Sequence, residues 1–165
     1  MPLQWKEMED GGFPKDAFIS GSNEKNNELY VARVTFGDSL QPCQLLDGNY
    51  GAQMAYGGEE RIMKDYEVLT SSNGLLWKSI TVGQLPPDAL KTGKEGNGNA
   101  LYTVKCKISG KTFIGKYNGN DKAYVTDDDK EKEILSGEMK ILCFRDSLLK
   151  KNVSGPLAYI KILGT

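Results

Sequence analysis

Trp5 and Trp77 are the chain's two tryptophans, and the 72 residues that separate them are the period of an internal repeat. The same offset carries Pro14 onto Pro86, Ala17 onto Ala89, Gly21 onto Gly93, Leu29-Tyr30 onto Leu101-Tyr102 and basic Arg33 onto basic Lys105. One further residue of slippage carries Tyr66-Glu67-Val68-Leu69 onto Met139-Lys140-Ile141-Leu142. Order and spacing kept over most of a chain mark a duplication. Units this small have too little core to stand alone, so each copy is expected to bury its apolar face against the other. The polar run Thr70-Ser71-Ser72-Asn73-Gly74 ends in a turn dipeptide and divides the copies. The chain therefore divides into a first repeat (1–72), a second repeat (73–144) and a C-terminal extension (145–165).

Both repeats read as β-structure. Leu29 to Phe36 is rich in β-branched and aromatic residues, and so is Leu101 to Ile108, where Lys105 and Lys107 alternate with Val104, Cys106 and Ile108. Alternation with period two is the signature of a strand. Ser109-Gly110 then predicts a tight turn into a second strand through Tyr117, and Asp65 to Leu69 and Glu138 to Phe144 predict further strands. The Pro-x-x-Ala segments are too short for more than single turns. Asp127 to Glu133 (DDDKEKE) reads as a solvated loop or turn. Leu157 to Leu163, after a turn at Ser154-Gly155-Pro156, reads as an extra C-terminal strand. The expected fold is all-β: two tandem, pseudo-symmetric antiparallel sheet repeats packed into one compact unit.

Composition narrows the function. The 165 residues carry 21 basic and 22 acidic side chains, a balance that points to neither nucleic acid nor an anionic membrane as partner. Histidine is absent, which removes the commonest zinc ligand and general base. Cys43, Cys106 and Cys143 are odd in number and form no CxxC, so they are expected to be buried, reduced thiols. The opening segment lacks the apolar core of a signal peptide, and no run reaches the length of a membrane span; a cytoplasmic location is expected, with non-classical secretion left open.

Candidate chemical motifs are weak. Gly93-Lys94-Glu95-Gly96-Asn97-Gly98 fits neither phosphate-binding glycine pattern. Asp127-Asp128-Asp129 lacks the spacing of a calcium loop. Glu59, Glu60, Glu95 and Glu133 are the carboxylates that a glycoside hydrolase would need in pairs, but acids are ordinary surface residues. From these motifs no enzyme activity, metal or cofactor is expected.

The repeated pattern resembles the DM9 repeat family. The first copy shows Trp5, Pro14, Ala17, Gly21, Leu29 to Arg33, Tyr56-Gly57-Gly58-Glu59-Glu60 and Tyr66 to Leu69; the second shows Trp77, Gly83, Pro86, Ala89, Gly93, Leu101-Tyr102, Gly115-Lys116 and Met139 to Leu142. The resemblance implies tandem β-sheets, often a homodimer, and binding of mannose or mannose-containing glycans without a metal ion. It implies three site positions per copy: an acid two residues after the repeat Gly, a Lys in a Pro-Gly-Lys segment and the Glu of a Gly-x-Glu segment. Carried over, these are Asn23, Gln44 and Glu60 in the first copy, and Glu95, Lys116 and Glu133 in the second. A carboxylate that accepts from sugar hydroxyls beside an ammonium that donates to them suits this role, because charge-assisted hydrogen bonds are the stronger ones. The second copy, which keeps Glu95 and Lys116, is expected to be the stronger site. The alternative is a protein-interaction or structural module whose sugar site has decayed, with the C-terminal strand pairing to a sheet edge.

Overall fold

A computed structural model describes residues 3–70, 74–135 and 137–145. The expected C-terminal strand lies outside the described residues, as do Ser71, Ser72 and Asn73 of the inter-repeat turn. The first repeat forms β1 (Gln4–Glu9), β2 (Ile19–Ser22), β3 (Glu28–Phe36), β4 (Ser39–Leu46), β5 (Ala52–Tyr56), β6 (Glu59–Met63) and β7 (Asp65–Thr70). The second forms β8 (Leu75–Thr81), β9 (Lys91–Lys94), β10 (Ala100–Ile108), β11 (Lys111–Tyr117), β12 (Ala123–Asp127), β13 (Lys130–Glu133) and β14 (Glu138–Phe144). Among the described residues there is no helix long and apolar enough to cross a membrane.

The duplication is written into the strand order. The sheet runs β1-β7-β3-β4-β5-β6 and continues β13-β12-β11-β10-β14-β8, so each strand of one half is answered by the strand seven later in the other. β2 flanks β3 and β9 flanks β10. All these pairings are antiparallel, and the halves join into one hydrogen-bonded network at two places. At the first, Lys130 pairs with Glu59. There the Glu60 N–H donates to the Asp129 carbonyl and the Glu131 N–H to the Gly58 carbonyl, each at 3.2 Å, a reciprocal pair that a local two-fold relation requires. At the second, β9 lies against β4, pairing Leu40 with Lys94.

Alternation along β3 explains how the halves share a core. Tyr30, Ala32 and Val34 point into a cluster made by the first repeat alone, with Leu45, Met54 and Val68. Leu29 and Val31 point the other way, into a cluster with Leu69 of the same repeat and Leu75, Leu90, Ile114, Leu142 and Phe144 of the other. The second repeat has its own cluster around Val104, Tyr117, Val125 and Ile141. Each fully buried aliphatic side chain contributes ~1.5–3 kcal/mol, so neither half would keep this shared layer by itself. Trp5 and Trp77 pack on its rim at equivalent places and are only partly buried.

The Pro-x-x-Ala segments form one turn each, with Ala17 N–H on Pro14 O and Ala89 N–H on Pro86 O at 3.1 Å. The charge run departs from expectation. Asp127 ends β12, Asp128 and Asp129 make a two-residue turn with φ of 56° and 61°, and Lys130 to Glu133 form β13. Asp tolerates the left-handed region that such a hairpin turn demands, and the pairing of β13 with β12 outweighs the poor strand propensity of Lys and Glu. The three cysteines are buried. Burial pushes the Cys106 thiol up to about 11 and Cys43 higher still, against the lowering influence of Lys116.

Candidate functional site

The polar residues of the joint fall into two pseudo-equivalent clusters. In the second repeat, β11 carries Lys116, with only 6% of the residue exposed. Its ammonium donates to Gln41 Oε1 at 2.7 Å, and Gln41 Nε2 donates to Glu95 Oε1 at 2.7 Å. Glu131 Oε2 lies 3.7 Å from the ammonium on the other side, while Glu131 Oε1 accepts from the Gly58 N–H at 2.9 Å. The rings of Tyr56 and Tyr124 stand 5.1 and 5.8 Å from the ammonium. Gln41, Tyr56 and Gly58 belong to the first repeat, so this cluster is completed across the joint.

Two glycines let the strands come together here. A Cβ on Gly93 would collide with the Leu40 carbonyl oxygen, so glycine at this place allows β9 to lie on β4 and brings Glu95 beside Gln41. A Cβ on Gly115 would likewise meet the Tyr124 carbonyl oxygen on β12. Burial holds the Lys116 ammonium below the usual lysine range, and Glu131 and then Glu95 pull it back upward. Glu95 and Lys116 therefore do not form an exposed ion pair: Gln41 bridges them, and the cation is desolvated.

At the positions of Lys116 and Glu95 the first repeat has the neutral Gln44 and Asn23. Gln44 Oε1 accepts from the Ile114 N–H at 2.9 Å, Gln44 Nε2 donates to Gln53 Oε1 at 2.8 Å, and Gln53 Nε2 donates to Glu60 Oε2 at 3.3 Å. Asn23 turns its Oδ1 onto its own loop, accepting from Lys25 N–H at 3.0 Å and Asn27 N–H at 2.9 Å. These residues border a cleft of about 190 Å³, closed on the far side by Lys111, Thr112, Phe113 and the Asp127–Asp129 turn of the second repeat. Thr126 Oγ1, on the same wall, is buried with no hydrogen-bond partner among the described residues. No group of three or more His, Cys, Asp or Glu among the described residues is placed to hold a metal ion.

Of the six residues singled out in the sequence, Gln44 and Glu60 share one cluster through Gln53, with Asn23 on the same cleft. Glu95 and Lys116 share the other. Glu133 stands apart. It faces Tyr124 in the β12–β13 ladder, corresponds in register to Ile62, and accepts from Lys122 at 3.2 Å. Glu131 is the residue that corresponds to Glu60. The connection from Lys116 to its partner Tyr124 is one residue shorter than that from Gln44 to its partner Gln53, and the extra residues of the second repeat fall after β13. An offset measured at β7 and β14 therefore overshoots in this hairpin. Gln41 and Gln53 carry no motif, and only their strand partners bring them into the site.

Mirrored seven-strand halves joined through paired polar clusters define a tandem-repeat all-β protein. The DM9 repeat family model matches residues 1–61 and 25–134, and the chain belongs to the DM9 repeat family. Comparison with curated protein sequences returns no match. In fold the chain is similar to the crystal structure of the nematode sperm cell motility protein MFP2B, with a TM-score of 0.63 and 15% identity. That likeness covers 86% of this chain and 46% of MFP2B, so the chain spans less than half of that protein's length.

Proposed function

We propose that the protein binds carbohydrate, specifically mannose-type glycans, without a metal ion, through the two polar clusters of the joint. The supporting observation is the chain Glu95–Gln41–Lys116–Glu131, flanked by two tyrosine rings. Carboxylates held in register around the buried ammonium offer acceptors to vicinal hydroxyls, and the rings offer an apolar surface to a sugar face. The first-repeat cleft offers Glu60 and Gln53. Its 190 Å³ equals about six waters at ~30 Å³ each, the scale of one sugar ring. The chemistry is that of a binder: nothing in either cluster calls for a bond to be broken.

The test is a glycan array run in EDTA on the full chain. Mannose-terminated glycans are expected to bind, and Glu95→Gln and Glu60→Gln to weaken binding about tenfold, as loss of a charge-assisted hydrogen bond does. Glu133→Gln is expected to leave binding unchanged. A silent array with a folded protein by circular dichroism overturns the reading. In that case the second reading, an interaction module, is favoured by one observation: both polar atoms of Gln44 are already engaged within the fold.

A further inference from the structure

One register position separates the repeats by a reversal of charge. On β3, Arg33 faces Glu67 of β7. Their side chains pair at 2.9 Å, with the guanidinium 4.0 Å from the centre of the Trp5 ring. The same positions in the second repeat are Lys105 of β10 and Lys140 of β14. Lys105 keeps its seat over a tryptophan, 4.6 Å from the Trp77 ring, but its carboxylate partner has become a second cation. Like charges directly opposite on an antiparallel pair are unfavourable. Lys105 is also half-buried, and burial together with Lys140 holds its ammonium below the ordinary lysine range.

These groups wall a cavity of about 380 Å³ between β2 of the first repeat and β10 and β14 of the second. Lys105, Lys107 and Lys140 line it, and none of them makes an ion pair among the described residues. Lys105 donates to the Ser20 carbonyl at 2.7 Å. Ser20 is 2% exposed, and its hydroxyl has no hydrogen-bond partner among the described residues. Ser22 and Thr112 add two more hydroxyls, and Thr112 also borders the first-repeat cleft. Gly21 adopts a φ of 133°, a backbone conformation that favours glycine, beside the Lys105 ammonium. Glu138 is the one carboxylate among the lining residues, and it accepts from Ser79 at 3.1 Å.

We propose that this cavity is an oxyanion site, which takes the phosphate or sulfate group of a small molecule between Lys105, Lys107 and Lys140. Three ammonium groups and the hydroxyls of Ser22 and Thr112 supply donors on several sides, the arrangement a tetrahedral oxyanion accepts from. A bound dianion restores at Lys105 and Lys140 the neutralisation that Glu67 gives Arg33. The cavity holds about a dozen waters at ~30 Å³ each, more room than a bare anion fills, so an ester has space for its organic part. The proposal does not rest on the carbohydrate reading.

Calorimetric titration of the full chain at low ionic strength tests it, with inorganic phosphate, inorganic sulfate and glycerol 3-phosphate as probes and chloride as control. Saturable one-site binding that weakens as salt is raised is expected. Tighter binding of glycerol 3-phosphate than of phosphate assigns the site to an ester, and equal binding assigns it to the free anion. Lys140→Glu, which recreates the pairing of the first repeat, is expected to abolish binding. Lys107→Ala, on the exposed side, is expected to weaken it about tenfold. Heats no different from chloride for all three probes overturn the proposal, and so does unchanged affinity in a folded Lys140→Glu variant.

Discussion

Lys116 and Gln44 occupy the same place in the two repeats, yet they do opposite work. Each reaches across the joint to the other repeat. Gln44 is a neutral spacer that satisfies a backbone N–H, that of Ile114, and passes its own N–H on to Gln53. Lys116 is a buried cation that needs Gln41 and Glu131 to make its burial tolerable. A duplicated fold can thus hold one seam by an amide and the other by charge, provided the partners change with it: Gln53 answers to Tyr124, and Gln41 to Phe113. The charged seam is expected to be the more costly to break.

The largest effect should come from removing that charge. Lys116→Met leaves the half-buried Glu131 without its cation and is expected to cost about 3 kcal/mol in urea unfolding. Gln44→Met strands the Ile114 N–H and should cost about 1–2 kcal/mol. Equal losses would mean that charge adds nothing at this position. Next in size, Gly93→Ala should cost about 1–2 kcal/mol, because the new methyl must push β9 off the Leu40 carbonyl. Unaltered stability would show that the β4–β9 seam is slack.

The smallest effect concerns Lys105 and Lys140. With its folded-state titration depressed, Lys105 sheds its proton in the native state before it does in the unfolded chain. Stability from this group is therefore lowest at neutral pH and rises as pH climbs from that depressed value toward ~10.4. Lys140→Glu should raise the titration of Lys105, followed by NMR of its side-chain amine, and remove this rise. It should also add a few tenths of a kcal/mol at neutral pH, the scale of one cross-strand pair. An unmoved titration would mean that burial alone, and not Lys140, depresses Lys105.

Much of this architecture is legible in residue order. The tryptophan spacing, the paired Pro-x-x-Ala turns and the alternation at Leu29 to Phe36 and Leu101 to Ile108 give the duplication and the strands on which Lys105, Lys116 and Gln44 sit. The charge run at Asp127 to Glu133 misleads, because solvated composition hides a hairpin whose strand pairing is decided by neighbours. Glu133 misleads for a related reason. The copies differ in the length of chain between paired residues on both sides of this hairpin, and loops absorb insertions that strands cannot.

What residue order determined by itself is local and periodic: β-structure from period-two alternation, turns from Pro, Gly and Asn, and a two-copy fold from the 72-residue echo. Those signals survive because each depends on a few neighbouring residues. Only the tertiary structure decided that Glu131 and not Glu133 meets Lys116, that Gln41 stands between Glu95 and Lys116, and that Lys105 faces Lys140 at the wall of a cavity. These are contacts between strands far apart in the chain. Register sets them, a one-residue change in a loop shifts them, and a buried charge then takes whichever partner the packing presents.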